Sequence, residues 1–255
     1  MSRNKSARQR QILMELEQRP ALRVGELARR LSVSSETIRR DLDDLTADGL
    51  IDRTYGGALR RLTTEPSLNE RHALLVPERE AIARTATPLL AGARHLMMGS
   101  GATTVHIARR IAVEMRDITV ITHSFGAATA LSLNPTIEVI MVPGRYHPSE
   151  GALHGAETLH FLEGLRADWA ILGASGLSDE GPSDALLDAG TVYSAMARRA
   201  ARTMIVADAS KFGLVFPSAW AKWETLDTLV ADQAPSGPIA HAIEDAQVAL
   251  RVANH

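Results

Sequence analysis

The chain has 255 residues, 45% hydrophobic and 23% charged, which is an ordinary globular composition with room for one small and one medium domain. It has no cysteine, no secretory apolar run and no stretch of roughly 20 apolar residues, which excludes disulfides, thiolate chemistry and a membrane span and predicts a cytoplasmic protein. The net charge of −2 divides unevenly, because residues 1–61 carry 13 Lys and Arg against 9 Asp and Glu, while residues 62–255 carry 15 against 21.

The first 60 residues have the pattern of a helix-turn-helix. We predict a first helix from about Ser6 to Gln18, stopped by Pro20, and a turn at residues 32–34 between the two following helices. A hydroxyl of Ser34 or Ser35 is suited to accept hydrogen bonds from the first N–H groups of the third helix. The side chains predicted to form the common core are Ile12, Leu13, Leu16, Leu27, Leu31, Val33, Ile38, Leu42 and Leu45.

The side of the third helix away from this core is predicted to enter the major groove of double-stranded operator DNA. The candidate base or phosphate contacts of its N-terminal turns are Ser34, Ser35, Thr37 and Arg40, with Arg39 expected on phosphate. The planar guanidinium of arginine grips guanine or phosphate through two hydrogen bonds. Because Asp41 would repel phosphate, we expect it to orient an arginine or to bind nearby backbone.

A basic hairpin is predicted after the Asp48-Gly49 helix stop. Residues 50–55 and the chain after Gly56-Gly57 have the pattern of two short strands around a glycine turn, the wing of a winged helix. Its candidate phosphate contacts are Arg53, Tyr55, Gly56, Gly57, Arg60 and Arg61. A lone Arg-Arg pair is usually a solvated face, but here it lies inside a capped helix-turn-helix with a wing, and this context favours DNA binding.

Two motifs of this region resemble the N-terminal signature of the DeoR family of bacterial transcriptional regulators. They are the Ser-x-x-Thr-Ile-Arg-Arg-Asp-Leu run at Ser34–Leu42 and the Arg-x-x-Gly-Gly-Ala run at Arg53–Ala58. The resemblance implies a repressor of a carbohydrate-utilisation operon, released from DNA when its second domain binds a phosphorylated sugar or derivative.

The rest of the chain has an α/β pattern. We predict a winged helix-turn-helix domain over residues 1–60, a linker over 61–77, which contains Pro66 and Pro77, and a mostly parallel α/β effector-sensing domain over 78–255. The predicted strands are His95–Met98, Ile118–Thr122, Val139–Val142, Trp169–Leu172, Met204–Ala207 and Leu226–Val230. The predicted helices are Glu80–Leu90, Thr103–Ala112, Phe125–Ser132, Glu157–Leu165 and Thr191–Ala201, with a short one near 68–75 in the linker.

The effector site is predicted at the carboxyl ends of these strands, where parallel α/β sheets bind ligands. A Gly-Ser-Gly-Ala-Thr-Thr loop leads from the first strand into a helix, which suits close backbone approach to an anion. The candidate effector contacts are Gly99, Ser100, Gly101, Thr103, Thr104, His123, Arg145, Ser175 and Lys211. For Arg145 the alternative is an exposed loop cation, and for His123 a histidine bonded to backbone.

The second domain also resembles the ribose-5-phosphate isomerase type of fold, and residues 206–213 resemble the closing signature of DeoR sensor domains. The chain departs from the family pattern at Gly99 and Ala102, where an acidic residue and a threonine are usual, and at His123, where asparagine is usual. These departures predict a reshaped pocket. His147, His154 and His160 lack metal-ligand spacing, so we predict no metal and no cofactor.

Three functions fit the pattern, and a DNA-binding regulator fits best. A sugar-phosphate isomerase would need a positioned general base, and the loop Gly173-Ala174-Ser175 lacks the carboxylates of that enzyme family, so we predict no catalytic residue. The remaining alternative is a DNA-binding protein whose second domain only dimerises. Because one recognition helix reads few base pairs, we expect a homo-oligomer, a dimer or tetramer.

Overall fold

The computed structural model describes residues 5, 8–9, 11–12, 15, 21–47, 51–54, 57–60 and 68–253. The chain divides into two compact units, Met1–Thr63 and Thr64–His255. None of the helices in the described part of the chain is long and apolar enough to cross a membrane.

The first unit contains the predicted helix-turn-helix. Helix α1 spans Val24–Arg30 and helix α2 spans Ser35–Ala47, and residues 31–34 form the turn between them. The described residues near the predicted first helix, 5, 8–9, 11–12 and 15, are helical, whereas Leu13, Leu16 and Pro20 lie outside the described residues. The described members of the predicted core do pack together, because Ile12, Leu27, Ile38, Leu42 and Leu45 are buried and Leu31 and Val33 pack against them.

The predicted wing hairpin is confirmed at the backbone level. Strand β2 (Ile51–Thr54) pairs antiparallel with β3 (Gly57–Arg60), with Thr54 opposite Gly57. A further strand, β1 (Ala21–Arg23), pairs with the other edge of β3 and makes a three-stranded sheet. The sequence did not predict β1, because three residues after a proline carry no alternating pattern.

The second unit alternates helices and strands, as predicted. Its helices are α3 (Leu68–Ala73), α4 (Val76–Ala86), α5 (Ala102–Glu114), α6 (Phe125–Leu131), α7 (Ala156–Glu163), α8 (Leu187–Arg199) and α9 (Pro238–Asp245). Its strands are β4 (His95–Met98), β5 (Ile118–Thr122), β6 (Ile137–Met141), β7 (Arg145–His147), β8 (Ala152–His154), β9 (Ala167–Leu172), β10 (Gly176–Ser178), β11 (Gly181–Asp184), β12 (Ala200–Val206), β13 (Ser218–Ala219), β14 (Thr228–Ala231) and β15 (Ala249–Val252).

Seven strands form one parallel sheet in the order β15-β14-β12-β9-β4-β5-β6. Side chains alternate between its two faces, so Leu96 and Met98 belong to one buried cluster and Met97 to another. Helices α4, α5 and α6 cover the first face, and α7, α8 and α9 cover the second. The fold is therefore the predicted parallel α/β sheet covered on both faces.

The connections of the sheet change direction between β4 and β9. The chain runs outward from β4 through β5 to β6, and then returns to β9 on the other side of β4 and continues outward to β15. Helix α5, which follows β4, and helix α8, which lies between β9 and β12 in the chain, lie on opposite faces. A crevice opens at such a switch point, outside the carboxyl ends of the two strands.

Several elements differ from the sequence prediction. Helix α4 begins at Val76 and takes Pro77 into its first turn, where the missing N–H of proline costs no helical hydrogen bond. Residues 68–77 of the predicted linker thus lie mainly in helices of the second unit. Helix α9, strand β15, the β7-β8 hairpin and the small β10-β11-β13 sheet were not predicted, because their segments are short or lack a sustained period.

Candidate DNA-binding surface and effector site

Helix α2 of the first unit begins with a side-chain cap at Ser34. Its hydroxyl accepts a hydrogen bond from the backbone N–H of Thr37 at 3.1 Å and lies 2.8 Å from the Thr37 hydroxyl. Of the two predicted capping residues, the structure selects Ser34. Ser35 is the first residue of the helix and is exposed. The N-terminal turn of the predicted recognition helix is therefore ordered and accessible.

The two arginines of α2 are directed to solvent. The side chains of Arg39 and Arg40 are 58% and 78% exposed, and both lie near the carboxylate of Glu36, at 3.7 and 3.4 Å. Ion pairs this exposed contribute little, so exchanging Glu36 for a phosphate costs these arginines little. The arrangement leaves two cations on the helix face that a major groove would meet.

Asp41 lies on the opposite, buried side of the same helix. Its carboxylate accepts hydrogen bonds from Nε and Nη2 of Arg8, the second at 3.0 Å. The expectation that Asp41 orients an arginine is therefore confirmed. This partly buried pair links the N-terminal helical segment to α2, and the exposed Lys5–Asp44 ion pair at 2.7 Å adds a weaker contact.

The predicted wing contacts are only partly described. Arg53 and Arg60 lie in β2 and β3 with their backbone alone described, and Gly57 begins β3. Tyr55, Gly56 and Arg61 lie outside the described residues. Their contact with DNA stays a prediction.

The second unit has a cavity at the switch point between β4 and β9. The strand-end residues that line it follow β4, β9 and β12, and helix α8 contributes Ala189 and Tyr193. Six of the nine predicted effector residues line this cavity: Ser100, Gly101, Thr103, Thr104, Ser175 and Lys211. Its volume is about 30 Å³, far below the roughly 300 Å³ of the smallest usual ligand pockets. A sugar phosphate therefore requires side chains around the cavity to move.

The glycine loop after β4 is shaped by close packing. A Cβ on Gly99 would lie 2.8 Å from the Tyr193 ring, so a larger residue at this position requires the ring to move. Gly101 has a φ of +125° and precedes α5, whose N-terminus has no side-chain cap. The N-terminal turn of α5 therefore presents backbone N–H groups beside the cavity, with the helix dipole favouring an anion.

The hydroxyls of the loop have neighbours within the protein. Ser100 lies 3.0 Å from the Tyr193 hydroxyl, which also donates to the Ser100 carbonyl at 2.8 Å, and burial raises the pKa of Tyr193. The Thr104 hydroxyl donates to the Gly101 carbonyl at 2.9 Å. The Ser175 hydroxyl accepts from the Ala185 N–H at 3.2 Å. Both the glycine loop and the segment after β9 are therefore hydrogen-bonded within the protein beside the cavity.

His123 lies behind the loop and is fully buried. Its Nε2 accepts the Ser100 N–H at 3.0 Å, so Nδ1 carries the proton and donates to the Leu153 carbonyl, also at 3.0 Å. Burial, with a smaller contribution from His154, lowers its pKa to about 3 and keeps the ring neutral. The structure thus matches the backbone-bonded alternative considered for His123, and this ring supports the glycine loop rather than lining the cavity.

Arg145 also lies outside the cavity lining. It begins β7, its side chain is 79% exposed, and its guanidinium is 3.5 Å from Asp188. Arg145 is exposed, as in the alternative considered for it, but it lies in a strand rather than in a loop. Gly99 is not part of the lining either. Its role in the structure is to leave space for the Tyr193 ring.

Charged side chains that the sequence did not single out complete the cavity lining. Arg71 of α3 pairs with Glu150 in the β7-β8 connection at 2.5 Å. Arg79 of α4 lies 3.5 Å from Asp208, and both side chains are almost fully buried. Asp184 at the end of β11 accepts the Leu186 N–H at 3.0 Å. With Lys211, the cavity lining therefore contains three cations and three carboxylates.

Comparison with known proteins identifies both units. Residues 8–64 match the family model of the DeoR-like helix-turn-helix domain, and residues 76–233 match that of the DeoR C terminal sensor domain. The chain belongs to the DeoR family of transcriptional regulators. It is a DNA-binding regulator, as the first 61 residues predict.

Relatives of this DeoR-family chain match along nearly their whole length. The HTH-type transcriptional regulator GolR of Listeria innocua is 28% identical over 249 residues, covering 96% of this chain and 98% of that protein. The glycerol-3-phosphate regulon repressor of Escherichia coli is 28% identical over 230 residues, covering 89% and 90%. Among solved structures, ribose 5-phosphate isomerase A from Methanocaldococcus jannaschii is similar at 17% identity over 52% of this chain and 53% of that one, with a TM-score of 0.39.

The cavity of the sensor domain contains residues that were not found by searching the segments after the predicted strands. Arg71 and Arg79 precede the first strand of the sheet, and Glu150 lies in a hairpin that the sequence did not predict. Asp208 lies two residues after the end of β12 and could have been found by the same rule as Lys211. Among the described residues, no three His, Asp or Glu side chains are placed to hold a metal ion.

Proposed function

We propose that this protein is a repressor of a carbohydrate-utilisation operon and that a phosphorylated sugar or derivative, bound in the switch-point cavity, releases it from operator DNA. The observation that carries the proposal is the composition of the cavity. It combines the uncapped N-terminus of α5 with Arg71, Arg79 and Lys211, and these groups suit a phosphate. The glycerol-3-phosphate regulon repressor, a relative along most of its length, supports a phosphorylated effector.

The carboxylates of the cavity favour binding of a sugar phosphate without its chemical conversion. Glu150 pairs with Arg71, Asp208 lies beside Arg79 and accepts the Ser210 N–H, and Asp184 accepts a backbone N–H. A general base needs a carboxylate or imidazole that can take a substrate proton. Since each of these groups is held by the protein, we propose that the chain is not an enzyme. Isomerisation of any pentose or hexose phosphate by the purified protein contradicts this.

Regulation requires that the effector prefer one arrangement of the protein. We propose an oligomer, at least a dimer, whose paired recognition helices match two half-sites in the absence of effector. Effector binding then favours an arrangement in which the helices no longer match that spacing. The shift in DNA affinity cannot exceed the difference in effector affinity between the two arrangements.

The test is the release of a promoter fragment by a panel of sugar phosphates, followed by fluorescence anisotropy. Lys211→Ala should bind the fragment like the unchanged protein, because the substitution leaves the DNA-binding unit intact. It should lose its response to the active compound, because the cavity then lacks one of its cations. Lys222→Ala is the matched control, since Lys222 is exposed and outside this cavity.

The unphosphorylated sugars are the second control, and they should release no DNA at the same concentrations. A panel in which no phosphorylated compound releases DNA contradicts the proposal and favours a second unit that only assembles the oligomer. A normal response of Lys211→Ala removes this cavity as the effector site.

A further inference from the structure

Helix α3 contributes Arg71 to the cavity lining. Its first backbone N–H, at Leu68, donates to the Ser149 carbonyl at 3.1 Å, and its Arg71 pairs with the neighbouring Glu150. At its other end Arg79 donates to the carbonyls of Arg71 and Leu74, the second at 2.5 Å. The helix is thus held at both ends to groups that line or border the cavity.

The Arg71–Glu150 pair is set in the cavity lining rather than on the surface. The two side chains are only 10% and 16% exposed, and both residues line the cavity with the N-terminal residues of α5. A charge this buried is costly unless it is paired, so Arg71 needs an anionic partner there. The guanidinium binds a carboxylate or a phosphate with the same paired N–H groups.

We propose that Arg71 is an effector-binding residue and that Glu150 is its built-in counter-ion, which the phosphate of the effector displaces. This deepens the proposed function and rests on it. The expected ligand is a compound with a phosphate dianion. Its charge is more negative than the single charge of the Glu150 carboxylate that it replaces beside Arg71, Arg79 and Lys211. Displacing Glu150 would also enlarge the small cavity, because its side chain is part of the lining.

The exchange has a consequence for regulation. Helix α3 is the first element of the second unit that the structure describes, and residues 61–67 separate it from the last residue of β3. Moving Arg71 from Glu150 to a phosphate releases one of the contacts that hold α3 in place. The connector to the DNA-binding unit therefore begins at a helix whose anchoring depends on whether the cavity holds an anion.

The test is a double-mutant cycle on full-length protein, with inorganic phosphate as probe and the dissociation constant measured by calorimetry. Glu150→Gln should bind phosphate at least tenfold more tightly, because its neutral amide competes less for Arg71. Arg71→Ala should bind at least tenfold more weakly. In the Arg71→Ala background, Glu150→Gln should change the affinity by less than twofold, since Glu150 acts through Arg71.

Glu157→Gln is the charge-matched control, because Glu157 is exposed at the start of α7 and is not part of the cavity lining. Its phosphate affinity should equal that of the unchanged protein. A gain from Glu150→Gln that persists in the Arg71→Ala background reflects the general field of the site and overturns the inference. Equal affinities of the unchanged protein and Glu150→Gln overturn it too.

The outcomes separate this inference from the proposed function. If sugar phosphates release DNA from the unchanged protein and not from Lys211→Ala, but Glu150→Gln behaves normally, the effector site stands and the counter-ion exchange is wrong. If no phosphate compound binds any variant, both proposals are wrong. In Glu150→Gln the sugar-phosphate concentration for half-release should fall by the same factor as the phosphate dissociation constant. Variants are compared only after their circular dichroism shows an unchanged fold.

Discussion

The neutral histidine behind the glycine loop makes stability depend on pH. His123 accepts the Ser100 N–H and donates to Leu153, and this network holds the loop that borders the cavity. A protonated ring could not accept the Ser100 N–H, so protonation breaks the support of the loop. A second buried ring, His154, lies 5.2 Å away between centroids, and burial lowers its pKa to about 4.

Folding should therefore weaken as pH falls from about 6.5 toward 3. The pKa of His123 is about 3 in the folded chain against its ordinary 6.5, so in this window the unfolded state binds a proton that the folded state does not. The expected loss is about 1.4 kcal/mol per pH unit for each such histidine. Below the folded pKa both states are protonated, and the loss from that histidine stops growing.

The His123→Asn variant isolates this contribution. Its unfolding free energy should fall less steeply between pH 6 and 5 than that of the unchanged protein, by about 1.4 kcal/mol per pH unit. Urea unfolding followed by tryptophan fluorescence reports the second unit, because Trp169, Trp220 and Trp223 all lie there. Identical slopes for the two proteins would mean that His123 titrates normally in the folded state.

At the scale of the element, one face of helix α2 packs in the core and the opposite face is available for DNA. Ile38, Leu42 and the Arg8-bound Asp41 are buried, whereas Arg39 and Arg40 are exposed. Substitutions on the exposed face should thus change DNA binding and leave folding almost unchanged. In the loop after β4 the structural and binding residues are not separate, because Ser100 both bonds to His123 and lines the cavity.

Arg40→Ala should weaken operator binding by about 1 to 3 kcal/mol and relax the preference for one base pair, if its guanidinium reads a base edge. Binding to the operator and to fragments with single base-pair changes is measured by anisotropy at fixed salt. Arg198→Ala, an exposed arginine of α8, is the control and should bind normally. Unchanged affinity of Arg40→Ala would remove this residue from the DNA interface.

At the scale of the whole molecule, the uneven charge assigns DNA contact to one unit. Residues 1–61 have a net charge of +4 and residues 62–255 a net charge of −6. The acidic remainder repels phosphate and so limits contact of the second unit with DNA. Electrostatic attraction to DNA should come from the first unit alone.

The salt dependence of operator binding tests this assignment. The logarithm of the association constant should fall linearly with the logarithm of the salt concentration, because bound cations release counter-ions from DNA. Arg39→Ala should reduce the magnitude of the slope by about 1, as expected for the loss of one phosphate contact. Arg198→Ala should leave the slope unchanged. A slope that Arg39→Ala does not alter would place Arg39 away from phosphate.

The recognition helix, its cap and the parallel strands were predictable because the interactions that form them are local. Ser34 and Thr37 are three residues apart, and the apolar residues of α2 recur at the helical period. The strand ends likewise placed Ser100, Gly101, Ser175 and Lys211 near the cavity. For the same reason the strands β4 and β5 begin and end at the predicted residues.

By itself, then, the sequence determined the type of both domains, the exposed face of α2 and the strand ends that line the cavity. Only the tertiary structure decided that α3 contributes to the cavity lining, that Arg71 meets Glu150 and Arg79 meets Asp208, and that His123 lies behind the loop. The partners in these two pairs are 79 and 129 residues apart. Contacts at such separation depend on strand order and helix packing, which no local pattern encodes.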